Sequence, residues 1–318
     1  MSEIIIPRKN IILDATVLST LMGCTRLTDF RFNHHLIAID GKSNSLESGS
    51  IVHKVLEYYH KSLINGFNQE LAIQNGLTAG ELYIRGCKFC SGFISSPENP
   101  KPQCNHQINE FEGVKNTPEE STNKPNRIGW RYALDTCQQY FEFYRNDYWT
   151  TLEVETVKSK ILYQDDEIRI LWKAKLDLVV DTNQGIYPVD HKTMKQNRDT
   201  ISLNNQFIGQ CLLLDTRTVI INKIGFQTSL EPKEKFKRVT MSYSADRLIE
   251  WQSEILPYYA KRMLHAAESE YWAPNFDHCE TKYGVCAFKE ICEANRDMRE
   301  ELIKQQFIVG EPWEPRDD

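Results

Sequence analysis

The segment that most constrains this chain is YPVDHKTM, residues 187–194, in which an apolar run ends in charged side chains. Residues 186–189 have the composition of a buried strand, and Asp190 and Lys192 follow two positions apart. Because side chains alternate between the faces of a strand, these two charges share one face and His191 takes the other. The function of the pair then depends on what the neighbouring strand presents to the same face.

The preceding strand presents a second carboxylate. This strand is predicted over Glu167–Val180 and carries Asp177 near its end, and the turn DTNQG leads from it into the next strand. If Thr182–Gly185 forms a four-residue loop, Asp177 lies directly across from Asp190, with about 5 Å between their Cβ atoms. Two like charges at that distance destabilise a hairpin unless a positive charge offsets them.

Two sources of positive charge remain open at this point. Lys173, Lys175 and Lys192 could neutralise the aspartates in a salt-bridged edge hairpin. Alternatively, a hard divalent cation such as Mg²⁺ or Mn²⁺ binds between the carboxylates, because such ions take oxygen ligands and also accept a substrate phosphate. With Lys192 beside the ion to stabilise developing charge, the chemistry that fits is phosphodiester hydrolysis.

Composition bounds the class of protein. The chain has 318 residues and 41% hydrophobic content, which is enough for one large domain or two small ones. It has no apolar run of about 18 residues and no export signal at its start, so we expect a cytoplasmic protein without a membrane segment. The net charge of −6 gives no overall attraction to nucleic acid, so such binding depends on local basic stretches, chiefly 192–198 and 233–238.

The order of predicted elements indicates a mixed α/β core with helices packed on a central sheet. Helices are expected from residue 14, from Gly49, and over Trp130–Tyr148, Leu203–Leu214 and Ala245–Glu268. Strands are expected at Thr151–Tyr163, Glu167–Val180, Ile186–His191, Thr218–Thr228 and Phe236–Tyr243. Residues 91–127, rich in proline and polar side chains, are interpreted as an inserted surface loop.

The hairpin resembles the motif of the PD-(D/E)xK nuclease superfamily, with Asp177, Asp190 and Lys192 in KAKLD and PVDHKT. GSIVHKVLE, residues 49–57, is similar to the helical G-x-x-x-H-x-x-L-E motif of its RecB-like branch, with His53 as the histidine. The resemblance implies a restriction-endonuclease-like core, which is a central mixed sheet flanked by helices. It also implies that His53 joins Asp177 and Asp190 as a ligand of Mg²⁺ or Mn²⁺.

NQFIGQCLLL resembles the helix that follows the active-site strands in the same branch. Gln206 matches the glutamine that assists positioning there, whereas Gln210 stands where the family often has a tyrosine. The resemblance implies a catalytic set of Asp177, Asp190, Lys192 and Gln206. In that set Lys192 orients the attacking water or stabilises the transition state.

Four cysteines resemble the clamp of RecB-like nucleases that bind an iron-sulfur cluster. Cys24, in LSTLMGCTRLTDF, precedes the core, and Cys279, Cys286 and Cys292, in CETKYGVCAFKEIC, follow it. The resemblance implies a structural 4Fe-4S cluster that ties the two ends of the chain together. The first gap of the trio is wider than the two-residue gap often found in the family, and four thiolates also suit a structural zinc ion, so zinc is the alternative.

The remaining five of the nine cysteines fall into two groups. Cys87, Cys90 and Cys104, together with His106, lie at the edges of the proline-rich loop and are candidate ligands of an additional Zn²⁺. The alternative for this segment is a flexible loop with exposed thiols. Cys137 and Cys211 occur in helical patterns and are interpreted as small core residues.

One compact nuclease domain is expected to contain four regions. These are an N-terminal helical region with Cys24 and the His53 helix (1–60), a Cys/Pro-rich insertion (80–127), the nuclease core (128–260), and a C-terminal helix with the three-cysteine segment (261–318).

The leading hypothesis is a metal-dependent DNA nuclease, an exonuclease acting on single-stranded ends, similar to CRISPR-adaptation and AddB-type exonucleases. Its partners would be DNA and helicase, recombination or CRISPR-adaptation proteins. A second hypothesis is a non-catalytic DNA-binding subunit with a nuclease-like fold, and a third is a hydrolase of small phosphoesters. The basic stretches 192–198 and 233–238 favour a polymeric substrate over a small one.

Overall fold

The computed structural model describes residues 9–39, 44–84, 130–194, 204–227, 229–281 and 284–313. Its strands are β1 Lys9–Leu13, β2 Leu36–Ala38, β3 Thr150–Gln164, β4 Ile168–Thr182, β5 Gly185–Met194, β6 Thr218–Gly225, β7 Phe236–Ser242, β8 Glu280–Thr281, β9 Gly284–Val285 and β10 Phe307–Val309. β1 and β3 to β7 form a six-stranded mixed sheet. The strand at Lys9–Leu13 precedes the helix expected from residue 14 and was not predicted.

β4 organises the sheet because both of its edges are paired. β3 runs antiparallel along one edge for nearly the full length of β4. On the other edge β1 pairs parallel with residues 168–172, and β5 pairs antiparallel with residues 178–182. Residues 173–177 therefore lie between two ladders on that edge, and Asp177 is the last residue of this interval.

Helical layers cover both faces of the sheet. The helices are α1 Ala15–Gly23, α2 Thr25–Thr28, α3 Asn44–Ile64, α4 Gln69–Ile84, α5 Trp130–Phe143, α6 Asn205–Leu213, α7 Pro232–Lys235, α8 Ala245–Glu250, α9 Leu256–Glu268, α10 Lys289–Glu293 and α11 Arg296–Gln306. Along β6, Val219 and Ile221 pack in one core with α6 and α9, whereas Ile224 packs in a second core with α3 and α5. This alternation confirms the predicted sheet flanked by helices.

α6 lies unusually close to β4. A Cβ atom added at Gly209 would lie 2.3 Å from Nε1 of Trp172, whose side chain is fully buried. Glycine therefore lets the helix backbone rest on the indole ring. This approach holds α6, and with it Gln206, over the middle of the sheet.

The two ends of the chain meet in a smaller lobe. β2 pairs antiparallel with β10, and Leu36, Phe288, Ile291 and Phe307 form its buried apolar cluster. Over the parts of the chain that the structure describes, no helix combines the length and apolar character that a bilayer crossing requires.

Two predicted helices differ from the observed ones. The segment Ala245–Glu268 is interrupted by a π-helical turn at Trp251–Ile255. Pro257 follows that turn within the first residues of α9, and it lacks the N–H needed to continue the regular ladder. The helix predicted over Trp130–Tyr148 ends at Phe143. The interpretation of 91–127 as a surface loop lies outside the described residues.

Candidate active site

The β4–β5 hairpin has the predicted register. Thr182 pairs with Gly185, and the ladder continues to Leu178 paired with Val189. Asp177 and Asp190 come one step further along their strands, where the regular ladder has ended. The predicted four-residue turn is therefore confirmed, and the two aspartates lie where the strands begin to separate.

Asp190 is fully buried and has a polar shell. Its Oδ2 lies 2.8 Å from Lys192 Nζ. Its Oδ1 accepts hydrogen bonds from Gln206 Nε2 at 2.7 Å and from Gln210 Nε2 at 3.4 Å. Lys192 also donates to Gln206 Oε1 at 3.2 Å, so Asp190, Lys192 and Gln206 contact one another.

Gln210 stands where the resemblance to the RecB-like branch predicts a tyrosine. Its side chain is buried and points to Asp190 from one helical turn beyond Gln206. This residue therefore supports the carboxylate from within the protein. Sequence analysis noted the substitution but did not identify this contact.

Asp177 has different neighbours from Asp190. Its Oδ2 accepts the backbone N–H of His191 at 2.9 Å, which places the carboxylate beside β5. The same oxygen lies 3.6 Å from Nδ1 of His53 on α3. Burial raises the pKa of the Asp177 carboxyl to about 6, and the negative charges of Asp190 and Glu155 act in the same direction against the opposing effect of His53.

Glu155 is the residue that sequence analysis missed. It lies on β3, and one oxygen of Glu155, one oxygen of Asp177 and one ring nitrogen of His53 lie within 4.8 Å of one another. Carboxylate oxygens suit Mg²⁺ and Mn²⁺, and imidazole is a common further ligand of transition metals. The donor set therefore fits a divalent cation. Asp190, the third predicted ligand, does not belong to this group and is paired with Lys192 instead.

Two more histidines lie beneath the site. The ring of His191 is 5.9 Å from that of His53 and 6.2 Å from that of His60. Asn222 Nδ2 lies 2.9 Å from His191 Nδ1, and His60 Nδ1 lies 2.9 Å from the hydroxyl of Thr151. Burial lowers the pKa of His60 to about 3 and that of His191 well below its usual range, so both rings are neutral near pH 7.

The glutamate of the helical motif does not join the metal donors. Glu57 is buried between two lysines of its own helix, with Lys54 at 2.8 Å and Lys61 at 2.6 Å. Burial raises the pKa of Glu57, but the hydrogen bonds from both lysines outweigh that effect and lower it. This residue stabilises α3 at the level of the site.

The four clamp cysteines come together at the junction of the chain ends. Burial raises the pKa of the Cys279 thiol, and the nearby thiols of Cys286, Cys292 and Cys24 raise it further. Cys24 also accepts the backbone N–H of Asn275 at 3.4 Å. Among the described residues, these sulfur atoms do not form a group within 4.8 Å of one another.

Of the five other cysteines, two lie within the described residues and three do not. Cys137 and Cys211 are buried in the two main cores, which confirms their interpretation as core residues. The candidate zinc ligands Cys87, Cys90, Cys104 and His106 lie outside the described residues.

Two basic side chains of the stretch 233–238 do not lie on a free surface as expected. Lys235 is buried and donates to Gln139 at 2.8 Å. Arg238 pairs with Asp147 at 2.7 Å, and its guanidinium lies 3.5 Å from the ring centre of Trp149. The expectation of a polymer-binding patch is wrong for these two side chains, because each is already used inside the protein.

The sequence matches the PD-(D/E)XK nuclease superfamily over residues 13–293, and the chain belongs to this family. None of the curated proteins matches the sequence. Among solved structures, a proposed exonuclease from Eubacterium rectale is similar at 12% identity, with 90% of this chain and 88% of that chain covered and a TM-score of 0.41. The protein SSO0001 is similar at 12% identity over 52% of this chain and 70% of that chain, with a TM-score of 0.31.

Proposed function

We propose that this protein is a metal-dependent deoxyribonuclease that hydrolyses phosphodiester bonds, with preference for single-stranded DNA ends. The observation that carries the proposal is the contact of Asp190, Lys192 and Gln206, next to the donor group that contains His53 and Asp177. A bound divalent cation would polarise the phosphate and lower the pKa of an attacking water.

The protein's own residues have separable roles in this proposal. Lys192 is 38% exposed at its side chain while its partner Asp190 is fully buried, so the ammonium is the member of the pair that faces a substrate phosphate. Asp190 and Gln206 fix the position of that ammonium, which stabilises charge that develops on the phosphate oxygens. His53 and Asp177 hold the cation.

We assign the four clamp cysteines a structural role as ligands of a 4Fe-4S cluster, with a zinc ion as the alternative. The support for a shared site is that Cys24, Cys286 and Cys292 lie near enough to Cys279 to raise the pKa of its thiol.

The test is a cleavage assay with Mg²⁺, with Mn²⁺ and with chelator, on end-labelled linear strands and on circular single-stranded DNA. Metal-dependent loss of the linear strand is expected, and the circle should resist because it has no end. Asp190→Asn should lower the rate by at least about a hundredfold, because Lys192 loses its charged partner in the site. Asp181→Asn, an exposed position on the same hairpin, is the matched control and should cleave normally.

Each contrary result has a definite meaning. Cleavage of the circle would overturn the exonuclease assignment and leave an endonuclease. If the wild type leaves every substrate intact but binds DNA, the enzyme assignment is wrong and the protein is a non-catalytic DNA-binding subunit. Cleavage by Asp190→Asn at the wild-type rate would remove the proposed active site.

A further inference from the structure

Glu155 faces Asp177 across two strands. On either side of it, Val154 pairs with Leu178 and Thr156 pairs with Leu176, so Glu155 falls opposite Asp177 although these two residues do not themselves form a ladder pair. Residues opposite each other in an antiparallel pair project to the same face, and two opposed carboxylates repel. The carboxylates of Glu155 and Asp177 therefore lie on the same face of the β3–β4 pair.

The backbone of Glu155 is in an uncommon conformation for a strand. Its φ angle is 51°, in the left-handed region that favours glycine. A glutamate has no short side-chain hydrogen bond to its own backbone that would favour this region, unlike asparagine or aspartate. Such a conformation persists only where the surrounding structure holds it, and here the Glu155 carboxylate lies beside Asp177 and His53.

We infer that Glu155 is a ligand of the divalent cation, completing with Asp177 and His53 a three-donor site that the family motif does not specify. The inference rests on the proposed function for the identity of the cation as Mg²⁺ or Mn²⁺. It adds a carboxylate from β3 to a site whose predicted ligands came from α3, β4 and β5. Asp190 is then free to keep Lys192 in place.

A salt bridge is the competing explanation for Glu155. Its Oε2 lies 3.0 Å from Lys175 Nζ, and both side chains are mostly covered. An ion pair with Lys175 alone does not require a left-handed backbone, because both residues lie on adjacent strands that already bring their side chains together. Lys175 instead supplies positive charge that offsets the repulsion between Glu155 and Asp177 when the cation is absent.

The test measures metal binding by the full-length protein without DNA. Mn²⁺ is titrated by calorimetry and by electron paramagnetic resonance, since oxygen-rich sites bind this ion better than thiolate sites do. Glu155→Gln should weaken Mn²⁺ binding by at least about tenfold, because the negatively charged carboxylate ligand is replaced by a neutral amide. Glu153→Gln is the matched control, since Glu153 likewise pairs with a lysine, Lys158 at 2.8 Å, and the Mn²⁺ affinity of this variant should stay within about twofold of the wild type.

Two outcomes overturn the inference. If Glu155→Gln binds Mn²⁺ with wild-type affinity, Glu155 is a salt-bridge residue only. The same holds for Glu155→Gly, which suits the positive φ angle and serves as the second variant if the glutamine variant does not fold. Wild-type protein that binds Mn²⁺ through Glu155 but cleaves no DNA would reject the proposed function while the ligand assignment stands.

Discussion

The neutral imidazoles of His60 and His191 lie beneath the acidic residues of the site. His60 and His191 are buried, and Asn222 lies within 2.9 Å of both the His191 ring and the Tyr140 hydroxyl. A proton on either ring would place an unpaired charge in this layer. The pKa of each is accordingly lowered by burial, and the cationic Arg238 contributes in the same direction.

His60 predicts how stability depends on pH. Its pKa is about 3 in the folded protein and about 6.5 when unfolded, so unfolding takes up a proton within that window. Its contribution to stability is complete above about pH 6.5 and declines on acidification, by up to about 1.4 kcal/mol per pH unit. His60→Gln should therefore show a smaller loss of unfolding free energy than the wild type between pH 7 and pH 5.

The measurement is urea unfolding at several pH values, with a chelator present to remove divalent metal. Asp177 acts in the opposite direction, because its raised pKa makes the folded state less stable as pH increases toward about 6. The difference between wild type and His60→Gln isolates His60 from that background. The exposed His265→Gln variant should follow the wild type, and a His60→Gln curve parallel to both would show that His60 does not carry the effect.

Sequence reasoning identified some site residues and could not identify others. Asp177, Asp190 and Lys192 follow from alternation and one short turn, which are local properties. Glu155 depends on which residue of β3 faces Asp177 and on a single φ angle. Both are set by tertiary pairing, so EVETV in the sequence does not distinguish Glu155 from Glu153.

At the scale of elements, the packing of α6 against the sheet determines where Gln206 lies in the site. Gly209 and Gln206 lie on the same short helix, so the contact between Gly209 and Trp172 also sets the distance from Gln206 to Asp190. Trp172 cannot yield easily because it packs edge-on against the buried Trp251 ring at 5.1 Å. The close approach therefore couples packing to the geometry of the site.

Gly209→Ala should damage both stability and cleavage. The new methyl group meets three indole atoms of Trp172 at 2.3 to 2.5 Å, so helix or ring must move. Overpacking of this kind costs about 1–3 kcal/mol of unfolding free energy, measured by denaturant unfolding. A shifted α6 should also reduce the cleavage rate through Gln206.

A double-mutant cycle checks the cause. Trp172→Leu creates space under the helix, so the two substitutions together should destabilise less than the sum of their separate effects. Strict additivity would mean that Gly209→Ala acts without touching Trp172. A single variant as stable as the wild type would remove the packing argument.

At the scale of the whole molecule, residues far apart in sequence close the structure. β1 joins the central sheet beside β4, β2 pairs with β10, and Trp313 contacts Asp14. These pairings span most of the chain, and short strands such as Leu36–Ala38 carry little periodic pattern, so sequence analysis did not predict them. The four cysteines were the sequence signal for this closure, because one precedes the core and three follow it.

The clamp predicts a visible cofactor and a long-range effect on stability. Anaerobically purified protein should be brown, with broad absorption near about 400 nm, and Cys286→Ser should lose most of that absorption. Removing a crosslink between distant segments costs about 3–5 kcal/mol, so Tm should fall by about 10 °C. Cys137→Ala, which removes a core thiol far from the clamp, should keep the colour.

A colourless wild type with one zinc ion per chain would replace the cluster by zinc, and unchanged colour in Cys286→Ser would exclude Cys286 from the ligand set.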